Sequence, residues 1–281
     1  MLGITAAICW GLTDFLVALV ARKIGPVKVL CLMTIGALAL YSAVFRIVSP
    51  QTDYARNDVL VLAGVSFIIG ATYIGFYKGL ELGPVAIVAP IVAAYAAVVV
   101  LLAVIFLGER LSTLQSIGAV AALTGVVLAS ADLRALPSEG KRFGPGVLLG
   151  ILALFGFGFT TFAGGFYSQK YDFIGPTLIS RIVLTVLFFV VGAARKELPG
   201  KGESGRLWLW VVLLGAIESA GYLAFAKGAE IGLISIVTIA TASYPIIPLV
   251  LGVTVLKERP APNQWLGVAV VLLGVGMLAV T

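Results

Sequence analysis

Three ionisable side chains, Asp14, Arg181 and Glu218, stand inside long apolar runs of this 281-residue chain. A charge at mid-bilayer costs about 2.5 to 3.5 kcal/mol on membrane-insertion scales, so each asks for a reason. A carboxylate removed from water is a candidate for holding an ammonium group or exchanging a proton. Asp14 shares a helical face with Trp10, Gly11 and Ala18, and Glu218 with Gly215, Gly221 and Tyr222, small-residue surfaces suited to a cavity wall or to close helix packing. Arg181 is the opposite pole. It either neutralises one carboxylate as a fixed ion pair or, being near the start of its run, snorkels to the interface.

Softer signals surround these. Tyr73, Tyr222, Tyr95 and Tyr244 are mid-run, able to offer a hydroxyl and a ring face to a cavity or to bond a neighbouring helix. Lys78 with Glu81 and Lys227 with Glu230 are three residues apart near run ends, which puts each pair on one helical face. Glu109 and Glu258, each followed by arginine, also close runs, and we assign all six a structural or gating role. Pro90 and Pro245, with Pro248, remove backbone hydrogen bonds inside runs, which predicts kinks where protein or a cavity satisfies the freed carbonyls.

Other chemistries lack their residues. The chain has no histidine, and Cys9 and Cys31 lie within apolar runs, so the reading is packing cysteines, no metal and no cofactor. No Gly-x-Ser-x-Gly elbow and no Gly-x-x-x-x-Gly-Lys phosphate loop occurs, which argues against an enzyme or an ATP-driven pump. The formal charge of +6 is scattered through short breaks, a pattern matching anionic lipid headgroups and not nucleic acid.

The elements that must position these residues are membrane helices. Apolar residues make up 60% of the chain and charged residues 11%, and a bilayer needs roughly 20 apolar helical residues per crossing. Cutting at charges, Pro-Gly pairs and polar clusters gives ten spans: Leu2 to Ala21, Val29 to Val48, Val59 to Gly79, Val85 to Leu107, Thr113 to Ala131, Gly146 to Ser168, Thr177 to Ala194, Leu207 to Ala226, Leu233 to Leu256 and Asn263 to Val280. The runs lack the polarity alternation of a barrel strand. The first is read as a retained helix and not a cleaved signal.

The chain also repeats itself. A shift of 149 positions lays Ala71–Val126 on Ala220–Val275 without a gap, with 21 of 56 positions identical. Five spans per unit is an odd number, so the second unit, 144–281, must enter the bilayer from the opposite side to the first, 1–135. The expected fold is an all-α integral membrane protein of ten transmembrane helices as two inverted five-helix repeats, a plan that lets a central site open alternately to either side. The repeat also sorts the polar residues. The paired charges recur in both halves, whereas Asp14 aligns with Thr161, Arg181 with Cys31 and Glu218 with Ile69. Residues that break the symmetry are the candidates for substrate or proton work. Gly118 with Gly125, and Gly267 with Gly274, form stripes for close packing against a helix of the same chain or of another protomer, leaving monomer and homodimer both open.

Trp10-Gly11 answered by Phe157-Gly158, and Leu107-Gly108-Glu109-Arg110 answered by Leu256-Lys257-Glu258-Arg259, each ending followed by Gln115 or Gln264 and the glycine pattern, resemble the drug/metabolite transporter superfamily and its two-repeat EamA-type members. The resemblance implies a cavity lined by the first four helices of each half, with the fifth and tenth outside, in a multi-pass protein of the cell membrane. It also implies secondary transport of amino acids, other metabolites or xenobiotics, often outward. Amino acids are favoured here because Arg181 beside a carboxylate suits a zwitterion; cationic amines or drugs are the alternative, and a channel or scaffold a third. Thirteen Lys and Arg follow odd-numbered spans and five follow even-numbered ones, which puts both termini outside the cytoplasm by the positive-inside rule, whereas the family resemblance implies termini inside.

Overall fold

The computed structural model describes residues 1–50, 53–83, 85–131, 133, 144–200, 204–257 and 259–279. With no water to satisfy backbone groups in a bilayer, an apolar run closes its own hydrogen bonds as a helix. The helices are α1 Leu2–Ile24, α2 Pro26–Val48, α3 Arg56–Leu82, α4 Val85–Ala93, α5 Tyr95–Leu107, α6 Thr113–Ser130, α7 Pro145–Lys170, α8 Gly175–Arg195, α9 Gly205–Ile231, α10 Ile234–Thr241, α11 Ile246–Val255 and α12 Pro262–Ala279. Among the described residues nine spans are long and apolar enough to cross a membrane, α4 with α5 and α10 with α11 each counting as one, and Pro262–Leu278 is a shorter apolar helix. The protein is an all-α, multi-span membrane bundle.

Local chemistry sets the boundaries. Gly25 has φ 87 between α1 and α2, a conformation open to glycine, and Pro26 then starts α2 with its φ already helical. Ser112 and Gln115 form a reciprocal capping box, Ser112 Oγ accepting from Gln115 N at 3.2 Å and Gln115 Oε1 from Ser112 N at 2.9 Å. At the matching place in the second half, Gln264 Oε1 accepts from Ala261 N at 2.8 Å. The repeated glutamines are therefore helix caps.

The fourth and ninth spans depart from the single kinked helices expected, because each is two helices. In the fourth, Pro90 is buried inside α4 and the break comes at Ala94, directly before Tyr95, where Ala94 N reaches Ile91 O at 3.2 Å. In the ninth, the break runs from Ala242 to Pro245, and Tyr244 N bonds Thr241 O at 3.1 Å. Pro245 has no N–H, so the α-helical ladder cannot pass through it. The symmetric tyrosine stands at both breaks, Tyr95 as the first residue of α5 and Tyr244 between α10 and α11.

The sequence left open which helix the glycine stripes meet; the structure answers that α6 and α12 pack on each other within the chain. A Cβ on Gly118 would lie 2.8 Å from Gly274 O and one on Gly274 2.6 Å from Gly118 O, and Gly125 and Gly267 are related in the same way at 2.8 and 2.7 Å. This reciprocity is that of an antiparallel pair related by a two-fold axis. Asn263 Nδ2 completes the join by donating to Leu128 O at 2.9 Å and Ala131 O at 2.8 Å.

Candidate functional site: a cavity between the repeats

A cavity of about 230 Å3 lies between the halves, lined from α1, α2, α3, α4, α5, α7, α8, α9 and the α10–α11 break and, among the described residues, by none of α6 or α12. The eight residues singled out for substrate or proton work, Trp10, Asp14, Tyr73, Tyr95, Arg181, Glu218, Tyr222 and Tyr244, all line it. Helices from both repeats converge here because the α6–α12 pair closes the bundle on one side and leaves the polar faces of the other spans turned to each other.

At one pole Arg181 Nη2 donates to Glu218 Oε2 at 3.1 Å, with side-chain exposures of 12% and 20%. The same guanidinium reaches Tyr41 Oη at 3.3 Å and lies over the Tyr41 ring at 5.3 Å. Ser219 Oγ donates to Glu218 Oε2 at 3.2 Å, and Trp10 Nε1 to the Glu218 backbone carbonyl at 3.1 Å. Arg181 thus points inward and does not snorkel, because a desolvated carboxylate offers it more than the interface does.

The other pole is Asp14. Its side chain is exposed in mid-helix and faces the cavity. Among the described residues no hydrogen bond or ion pair of its carboxylate is found, while Tyr77, Tyr95 and Tyr244 lie within electrostatic reach of it. Among the described residues the cavity therefore holds two carboxylates and one guanidinium, and the guanidinium is already bonded to Glu218.

Sequence reasoning missed Tyr41, Ser219 and Tyr77. Each breaks the repeat, aligning with Val191, Gly70 and Ala226, so the symmetry test found for the charges also finds these when applied to hydroxyls.

The described charged residues assigned to structure or gating lie away from the cavity. Glu109 is 8% exposed and accepts from Ile234 N at 2.7 Å and Ser235 N at 3.0 Å, capping α10 with a charge that complements the helix dipole. Lys227 and Glu230 pair at 2.7 Å, and Glu230 also accepts from Phe173 N at 3.1 Å, anchoring the α7–α8 link. Lys78 and Glu81 pair at 2.8 Å but are exposed. Glu258 lies outside the described residues.

Spans alternate in direction, so links 49–55, 108–112, 171–174 and 232–233 share a face with the chain ends. At this terminus face Ala6, Val99, Ala103, Phe225, Ala229 and Ile234 form one apolar cluster that joins both halves. Above it Lys170 Nζ pairs with Asp58 Oδ2 at 2.6 Å, Tyr171 Oη also bonds Asp58, and Tyr54 Oη donates to Asp172 Oδ2 at 3.1 Å. Burial and the neighbouring Asp172 carboxylate push the Tyr54 phenol above its usual range, which keeps it a donor. Toward the opposite face Val17, Val20 and Ile24 of α1 pack with α2 and α9, and Phe76 and Leu80 of α3 with α4 and α7, in separate clusters. On the terminus face this cluster and these bonds tie the two halves together.

The sequence profile of the EamA-like transporter family matches residues 1–131 and again 144–280. The chain belongs to the EamA-like transporter family. Twenty-nine chains of solved structures match it. One crystal structure shares the fold with a TM-score of 0.76 at 17% sequence identity, covering 99% of this chain and 96% of its own. No curated protein matches. As an EamA-like protein of the drug/metabolite transporter superfamily, the chain performs secondary transport of small molecules through a multi-span helical bundle.

Proposed function

We propose that this transporter carries small solutes bearing an ammonium group, zwitterionic amino acids foremost, by alternating access between its two repeats. The observation that carries the reading is the Asp14 carboxylate, turned into an aromatic cavity with no hydrogen-bonding partner among the described residues. An ammonium group gains there from the charge and from nearby ring faces. The solute carboxylate competes with Glu218 for Arg181, whose forked donors suit it. A proton is the other cation that Asp14 can hold, so exchange of solute for proton at this carboxylate is the coupling the site supports.

Counterflow in proteoliposomes tests this with a panel of amino acids, polyamines and cationic dyes. Saturable exchange of an amino acid, lost in Asp14→Asn and in Arg181→Ala, is expected. A second reading, transport of amines lacking a carboxylate, is favoured by the engagement of Arg181 with Glu218. Under that reading Arg181→Ala retains amine exchange. Exchange of every panel member untouched by Asp14→Asn overturns both.

A further inference from the structure

A second cavity, of about 390 Å3, lies between α2, α8 and α9 near the face opposite the termini. Leu32, Ile35, Phe189, Trp208 and Val212 wall it, and Leu198-Pro199 of the α8–α9 link roof it. It shares no lining residue with the central cavity. Ile35 is 44% and Leu209 59% exposed, so the groove faces the hydrocarbon of the bilayer and not the transport path.

The roof is fixed while its flanks are charged. Glu197 N bonds Gly192 O at 2.8 Å, and Leu198 tucks against Gly192. On either side stand the exposed bases Arg195, Lys196 and Arg206, with Glu197 the only acid among the described residues of the link. Trp208 brings an indole to this end of α9, the amphipathic side chain favoured at headgroup depth.

The helix end at this link is a device of both halves. Ser49 ends α2 in the left-handed conformation at φ 48, as Lys196 ends α8 at φ 58. The backbone device recurs, and exposed Arg46 and Arg56 flank the 49–55 link as Arg195 and Arg206 flank the link here. At the α8–α9 link the flanking bases stand beside an apolar groove roofed by Leu198-Pro199.

We propose that this groove binds one anionic phospholipid, with an acyl chain along Leu32, Ile35, Phe189 and Val212 and its phosphate group met by Arg195, Lys196 and Arg206. Charge complementarity selects the headgroup, since clustered bases at the membrane surface attract anionic lipid, and the groove supplies contacts that a flat helix surface lacks. The site is independent of the substrate reading.

Trp208 reports on it directly. The protein is placed in phosphatidylcholine vesicles containing graded amounts of brominated phosphatidylglycerol or brominated phosphatidylcholine, and the fluorescence removed by Trp208→Phe is followed. Half-quenching of that component is expected at a several-fold lower mole fraction of the brominated phosphatidylglycerol. The combined Arg195→Gln, Lys196→Gln and Arg206→Gln variant is expected to erase the difference, and the Arg195→Lys, Arg206→Lys variant to keep it. Equal quenching by the two lipids, a preference that survives neutralisation of all three bases, or no quenching by either because a second copy covers the groove would each overturn the proposal.

Discussion

Arg181 and Glu218, 37 positions apart on α8 and α9, meet at 3.1 Å beside the central cavity, each three-quarters or more buried. Removing one partner strands the other as a desolvated charge, while removing both leaves an apolar contact. Arg181→Met alone is expected to lower stability in detergent by about 3 to 5 kcal/mol, and the double variant Arg181→Met, Glu218→Leu to recover most of that. Thermal unfolding of the two variants measures it, and a double variant no better than the single one would contradict the pairing.

Asp14 separates from this pair in its expected phenotype. Its carboxylate bonds nothing among the described residues, so Asp14→Asn should leave the melting temperature within a few degrees while abolishing solute exchange. Parallel melting and counterflow on one preparation check this. A large loss of stability would make Asp14 part of the scaffold.

Bonds from α3 to the end of α7 tie the two halves on the terminus face. Asp58→Asn weakens the Lys170 pair and the acceptor for Tyr171, so a cysteine placed at buried Ala6 should react several-fold faster with a membrane-impermeant maleimide. An unchanged rate would show that these bonds do not limit access to Ala6.

Packing of α6 on α12 admits no side chain at its glycines. Gly125→Val meets Gly267 O and the backbone of Val271 within 3 Å, and neither can yield without separating the helices. Loss of the monodisperse peak on size exclusion is expected for Gly125→Val and not for Gly64→Val, where a Cβ meets nothing within 4 Å.

Glu109 replaces a missing turn at the start of α10 by accepting two backbone N–H groups. Glu109→Gln loses charge assistance and one acceptor, an expected cost of about 1 to 3 kcal/mol, read as a lowered melting temperature. Glu109→Asp, too short to reach both amides, should fall by a similar amount.

The apolar spans, nine of full length and the shorter Pro262–Leu278 among the described residues, were legible because hydrophobic length against bilayer thickness is a local property of the chain. The inverted plan was legible because 21 identities in 56 positions survive in the second half and an odd number of spans forces the inversion. Asp14, Arg181 and Glu218 stood out because an isolated charge in an apolar run is costly wherever the run folds. Tertiary structure alone decided the rest. Arg181 could pair inward or snorkel until α8 and α9 brought Glu218 beside it; Asp14 and Glu218 were alike in sequence, yet among the described residues only Glu218 is matched by a cation. Glycine stripes encode close approach but not a partner, and a proline encodes a lost N–H but not where the helix breaks, so the α6–α12 contact and the breaks at Tyr95 and Tyr244 emerged only once the helices were packed. Each of these depends on distances between residues far apart in the chain, which are fixed by the simultaneous packing of all the spans and carry no local signal.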